Sequence, residues 1–299
     1  MTAFIEAEIA SQPDCWRRGA ELAAASRGVL PAAGERVAVV GCGTSLFMAQ
    51  AYAALRESSG QGVTDAFAAS EYRLSRSYDR MLALTRSGTT TEVLDLLHGL
   101  RGTTPTSAIT ADPQAPVMTA ADRVAVLDFA DERSVIQTRF ATTALTALRA
   151  HLGLHTPAVE ADARRALAEP LPGASTEELT GRAQFTFLGS GWTLGLAHEA
   201  ALKLREAALA WSESYPAMEY RHGPISIAAP STATWMLGPA PAGLARQVRA
   251  TGALWIESDL DPLADLVRVQ RLAVALAAAR GLDPDRPRNL TRSVQLAGG

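Results

Sequence analysis

Arg36-Val37-Ala38-Val39-Val40-Gly41-Cys42-Gly43-Thr44-Ser45 is the stretch that decides the fold of this chain. The apolar run Val37 to Val40 has the pattern of a strand buried on both faces of a parallel sheet. Gly41 and Gly43 then turn the backbone, and Leu46 to Glu57 reads as a helix. Strand, glycine-rich turn and helix open a βαβ unit, where loop amides and the helix N-terminus favour an anion. The spacing is not that of a dinucleotide fingerprint, so the turn alone names no ligand.

The same pattern returns downstream. Gln184-Phe185-Thr186-Phe187-Leu188-Gly189-Ser190-Gly191-Trp192-Thr193 sets Gly189 and Gly191 148 residues after Gly41 and Gly43. Between the two copies, strands are expected at 62–68, 80–84, 106–110 and 123–127, and a long helix at 134–151. After the second copy, strands at 232–237 and 253–257 alternate with helices at 242–251 and 263–279. The proline-bearing stretch from His155 to Ala183 is the junction. Two copies of one α/β domain follow, each a three-layer αβα sandwich with a mainly parallel sheet and right-handed crossovers. The expected division is a helical arm at 1–25 broken at Pro13, a first domain at 26–160, and a shortened second domain with a C-terminal tail at 161–299.

Bulk properties narrow the function classes. A length of 299 residues with 47% hydrophobic and 20% charged residues suits two ordinary domains with a real core. A net charge of −3 with no basic block gives no case for nucleic acid or an anionic membrane. Cys15 and Cys42 are too few and too far apart for a disulfide framework or a zinc site. With no signal-like start and no apolar run of membrane-spanning length, a soluble cytoplasmic protein is expected.

Three further stretches carry chemistry. Thr85-Arg86-Ser87-Gly88-Thr89-Thr90-Thr91-Glu92 joins an expected strand to an expected helix, and its hydroxyls beside backbone amides suit a phosphate cup. Its Ser and Thr equally suit helix capping. In Glu199-Ala200-Ala201-Leu202-Lys203-Leu204-Arg205-Glu206, helical spacing puts Glu199, Lys203 and Glu206 on one face. Of the 28 basic residues, Lys203 is the one lysine. That face also reads as an ordinary helix ion pair, worth about 0.2–0.5 kcal/mol. Glu219-Tyr220-Arg221-His222-Gly223-Pro224 offers a histidine that titrates near neutrality or, equally, a loop histidine held by backbone. Trp192, Trp211 and Trp235 read as core or interface, and Cys42 as a small apolar filler.

Taken together, Gly41 to Ser45, Ser87-Gly88-Thr89-Thr90, Glu199 to Glu206, Glu219 to Pro224 and Pro287-Arg288-Asn289-Leu290 resemble the tandem SIS (sugar isomerase) domain family. The resemblance is to the isomerase half of glutamine–fructose-6-phosphate aminotransferase, and it covers nearly all the chain from about residue 30. It implies that Thr44, Ser45, Thr85, Ser87 and Thr90 line a sugar-phosphate site. It implies Glu206 as the base moving a proton between C1 and C2 of an open-chain sugar, and Lys203 as its cationic neighbour. His222 would assist ring opening, supplied across a homodimer interface. No metal or organic cofactor is implied. Departures matter too. Arg86 replaces a glutamine, Gln137-Thr138-Arg139 replaces Ser-Thr-Lys, and Arg292 replaces a lysine, so no imine forms there. Arg86, Gln137 and Arg292 are expected at the substrate. With Met1-Thr2 at the start, no glutaminase activity is expected. The function implied is a phosphosugar isomerase or aminosugar-6-phosphate deaminase. Alternatives are a sugar-phosphate sensor and a fructosamine-phosphate deglycase.

Overall fold

The computed structural model describes residues 4–26, 28–72 and 76–296; positions 1–3, 27, 73–75 and 297–299 of the expected spans lie outside that description. Helices α1 (Phe4–Ala10) and α2 (Gln12–Ala25) lead into β1 (Val37–Gly41), α3 (Thr44–Ser58) and β2 (Thr64–Ala68). There follow β3 (Arg80–Leu84), α4 (Thr91–Leu100), β4 (Thr106–Thr110), α5 (Val117–Ala120), β5 (Arg123–Val126) and α6 (Arg139–His151). Next come α7 (Ala158–Ala168), α8 (Thr176–Thr180), β6 (Gln184–Gly189), α9 (Thr193–Ala208) and β7 (Trp211–Pro216). The chain closes with β8 (Thr232–Met236), α10 (Leu244–Ala250), β9 (Leu254–Ile256) and α11 (Pro262–Ala279).

Every strand pair is parallel, in sheets of order β2-β1-β3-β4-β5 and β7-β6-β8-β9. The second sheet has the order of the first with its last strand absent, which fits the little room after residue 257. Both glycine turns have one cause. A Cβ on Gly41 would lie 2.6 Å from the Ser45 carbonyl carbon, and one on Gly189 would collide with Thr193 in the same way. Gly43 and Gly191 sit in the left-handed region at φ 55° and 56°. Each turn therefore lets a helix start directly against a buried central strand, β1 or β6.

The chain divides into two compact units. One holds 14–133, 137–156 and 291–299 around the first sheet; the other holds 1–13, 134–136 and 157–290 around the second. Two expectations are corrected here. The N-terminal helices do not form one arm: α1 groups with the second sheet and α2 with the first. They part at Ser11, and Pro13 sits in the first turn of α2, where its missing N–H costs nothing. The tail from Thr291 groups with the first sheet, because the Thr91 N–H donates to Val294 O at 3.2 Å.

In the first-sheet unit, Val40, Met81, Ala83, Val93, Leu97, Leu100 and Val117 belong to one buried cluster. In the other unit, Leu188, Met236, Leu244, Val248 and Trp255 form a second cluster, and α11 packs against α9. Strand β7 had no counterpart in the sequence expectations. Its residues Trp211-Ser212-Glu213-Ser214-Tyr215-Pro216 lack an apolar run because it is an edge strand, and Trp211 is 70% exposed. No helix among the described residues is long and apolar enough to cross a membrane.

One buried acid makes this core pH-sensitive. Asp265 on α11 is 1% exposed and accepts from Trp235 Nε1 at 2.8 Å. Burial pushes its carboxyl up to about 6, against the opposing pull of Trp235 and Arg268. Raised above its unfolded value, the group binds extra protons when folded, so its contribution falls as pH rises from about 4 to 6. Asp265→Asn is expected to remove that slope, changing the difference between pH 4.5 and pH 7 stabilities by about 2 kcal/mol. Urea midpoints of variant and parent at both pH values measure it. A variant with the parent's pH profile would show that Asp265 titrates as an ordinary carboxyl.

Candidate functional site

In the first-sheet unit, Ser45, Thr85, Arg86, Ser87, Thr90, Gln137 and Arg292 line one small cavity, together with Cys42, Leu84 and Val93. Thr44, the first residue of α3, is buried beside them but is not a lining residue. The loop carrying the hydroxyls is fixed from behind. Thr110 Oγ1 and the Ala111 N–H both donate to Arg86 O, at 3.1 and 3.0 Å, and the Val117 N–H donates to Gly88 O at 3.1 Å. Thr90 occupies the N-cap of α4 yet makes no side-chain cap bond. Its hydroxyl faces another partner, Ser293 Oγ, at 3.4 Å. The capping alternative is therefore not the one this threonine takes.

Arg86 does more than add positive charge. Its guanidinium pairs with Glu132 at 3.2 Å, with the two side chains 1% and 0% exposed. Glu132 also accepts from the Thr138 N–H at 2.5 Å, Thr138 Oγ1 at 2.9 Å and the Arg139 N–H at 2.8 Å, at the start of α6. A buried charge with this many partners is the arrangement that low-dielectric surroundings demand. Arg292 reaches the same corner, donating to Glu132 O and to Asp131 Oδ1. Sequence reasoning missed Glu132. Its signal was weak, an acid six residues before Thr138 with nothing to couple it to Arg86 across 46 residues.

In the second-sheet unit, α9 places three charges in register. Lys203 Nζ lies 2.5 Å from Glu206 Oε2 and 3.3 Å from Glu199 Oε1. Side-chain exposures of 2% for Lys203, 1% for Glu199 and 18% for Glu206 rule out an ordinary surface pair. Burial pushes the Lys203 pKa down, but the charges and hydrogen bonds of Glu199 and Glu206 outweigh it, so the net direction is up. Lys203 is thus a fixed ammonium, and Glu206 is the carboxylate of the group that solvent reaches. Glu206 lines a cleft with Leu209, Asp283, Arg286, Pro287 and Arg288, which brings the C-terminal Pro-Arg motif to it. Leu209, closing α9, takes a left-handed φ of 51°, a conformation costly for a residue with a Cβ.

His222 ends the 3-10 turn Glu219–His222 and is exposed, followed by Gly223 at φ 131°. Among the described residues it makes no hydrogen bond to Glu206 or Lys203. Of the three tryptophans singled out, Trp235 is fully buried, Trp192 half-buried and Trp211 exposed. A histidine that the sequence did not single out, His198, lies on α9 with Nδ1 2.8 Å from Ser214 Oγ; burial and then Arg205 lower its pKa. Among the described residues, no group of three or more His, Cys, Asp and Glu side chains is placed to hold a metal ion.

No protein-family model matches the chain. It is 26% identical over 297 residues to glutamine–fructose-6-phosphate aminotransferase [isomerizing] of Sulfurisphaera tokodaii, an alignment covering 87% of this chain and 50% of that protein. The chain therefore spans about half the length of the curated relatives it matches. Its fold matches that of glucosamine-6-phosphate deaminase from Thermotoga maritima, with a TM-score of 0.80 at 23% identity over 98% of this chain and all of the other. It also matches the C-terminal domain of glucosamine-fructose-6-phosphate aminotransferase from Francisella tularensis, with a TM-score of 0.81 at 21% identity, covering 95% and 98% of the two chains. With its parallel sheets and twin glycine turns the chain shares the fold of these structures, and in sequence and fold it resembles the SIS (sugar isomerase) family.

Proposed function

We propose that this chain, as two SIS units in tandem, is a phosphosugar aldose–ketose isomerase or aminosugar-6-phosphate deaminase. Its substrate would be an open-chain hexose or hexosamine 6-phosphate. The observation that carries the reading is the buried Lys203 held between Glu199 and Glu206, with Glu206 alone of the three reachable by solvent. The hydroxyl-lined cavity supports a phosphate monoester as the anchoring group. A relative named for fructose 6-phosphate and a like-folded protein named for glucosamine 6-phosphate support the same substrate class.

In this reading Glu206 takes the proton from C2 of the aldose and returns it to C1, through a cis-enediol whose oxygen charge Lys203 stabilises. Glu199 orients the lysine. With an amino group at C2, the same proton transfer gives an imine, and water then releases ammonia and the ketose. Ser45, Thr85, Ser87 and Thr90, with Thr44 behind them, hold the phosphate. His222 opens the ring, acting from the partner in a homodimer; its exposure supports that role, as does the exposed Trp211 on edge strand β7. Mixing Glu206→Gln with His222→Ala protein is expected to restore activity through heterodimers carrying one intact site. No recovery after subunit exchange would mean each chain uses its own histidine.

The test of the function is a panel of glucosamine 6-phosphate, galactosamine 6-phosphate and ketose 6-phosphates, followed for ammonia and for ketose–aldose conversion. Turnover of at least one, lost in Glu206→Gln, is expected. Binding without turnover would instead mark a sensor, and release of free amino acid from a phosphorylated fructosamine would mark a deglycase.

A further inference from the structure

Tail residues 292–296 run along the loop between β3 and α4, within the first-sheet unit. Thr89 Oγ1 donates to Ser293 Oγ at 2.9 Å, and Thr90 Oγ1 stands 3.4 Å from the same oxygen. The Leu296 N–H donates to Thr91 Oγ1 at 2.9 Å. Since Ser293 Oγ accepts from Thr89, its own proton is left for a further acceptor, and Thr90 is at the far limit of hydrogen-bond range. Ser293 therefore adds a hydroxyl donor beside two hydroxyls of the phosphate loop. It also lines, with Ser87, Thr89 and Arg292, an opening of about 390 Å³ next to the cavity.

What holds the tail there is buried. Arg86 Nη2 donates to Arg292 O at 3.2 Å, while Arg292 donates to the Glu132 carbonyl and to Asp131. The Glu132 carboxylate in turn fixes Arg86 and the start of α6. One ion pair thus ties the phosphate loop, the α6 start and the tail together.

We propose that Ser293 is a further binding hydroxyl of the phosphate cup, donating to a phosphate-monoester oxygen, and that the buried Arg86–Glu132 pair positions it. The inference rests on the proposed sugar-phosphate function. A hydrogen bond to a charged oxygen is stronger than a neutral one, so its loss is measurable.

Calorimetric titration of the full chain with inorganic phosphate and with fructose 6-phosphate tests it. Ser293→Ala is expected to weaken both about tenfold. The double variant Arg86→Gln/Glu132→Gln removes both charges of the pair, an exchange a folded protein tolerates better than loss of one partner. In that background Ser293→Ala is expected to cost under about twofold, because the hydroxyl is no longer held in place. Unchanged binding by Ser293→Ala would overturn the proposal, and an equal loss in both backgrounds would overturn the positioning role. A parent protein that binds neither ligand would overturn the proposed function itself, and this inference with it.

Discussion

Glu206→Gln is expected to lower kcat about 10³-fold with KM changed by less than about threefold, the signature of an interaction made in the transition state. Gln keeps the shape and the hydrogen-bond acceptor facing Lys203, so the ion pair at 2.5 Å becomes an ammonium–amide contact without a cavity. It removes the ability to hold a proton. Because Glu206 is 18% exposed and sits at a helix end, the substitution is expected to leave stability within about 1 kcal/mol. Steady-state kinetics beside a thermal melt separates the two effects. A variant retaining a tenth or more of parental kcat would remove Glu206 from the proton-transfer role.

Lys203→Met carries the second large effect, and it acts on stability as well as activity. Lys203 has 2% exposure and Glu199 1%, so removing the ammonium leaves a buried carboxylate without its counter-ion. Breaking a buried pair on one side costs about 3–5 kcal/mol, whereas replacing both sides is often close to neutral. Glu199→Gln/Lys203→Met is therefore expected to recover most of that stability while staying inactive. Burial and the missing cation would raise the Glu199 pKa in the single variant. Its stability deficit is then largest near neutral pH and shrinks as pH falls and Glu199 takes up a proton. Urea unfolding at pH 5 and pH 7.5 reads this directly. A single variant as stable as its parent at pH 7.5 would mean the pair carries no buried charge.

Much of this was legible in the residues. The glycine pairs 41/43 and 189/191 could be read because their causes are local: a collision between strand end and helix start at Gly41 and Gly189, and a positive φ at Gly43 and Gly191, neither of which needs tertiary information. Strand β3 was legible at its observed bounds because it is an interior strand with the apolar run Met81 to Leu84. Strand β7 was not, since an edge strand with one wet side needs no such run. The spacing of Glu199, Lys203 and Glu206 gave their common face, but not whether that face was wet or dry. That depends on what α9 packs against, including α11, which begins more than 50 residues later in sequence. The Arg86–Glu132 pair was hidden for the same reason. Arg86 stood out as a departure from a family pattern, and only the fold supplies the acid that neutralises it. The tail was assigned by chain order to the second domain, whereas its hydrogen bonds reach back to the loop at Thr89–Thr91.

The central claim is proton transfer at a sugar carbon by the α9 carboxylate. Incubating the protein in D₂O with glucosamine 6-phosphate or fructose 6-phosphate, and following C1 and C2 by NMR, tests it most directly. Deuterium entering at C1 or C2 with the parent protein, and not with Glu206→Gln, is the predicted result. A sugar phosphate that binds but never exchanges those protons, or exchanges them as fast with Glu206→Gln, would contradict it.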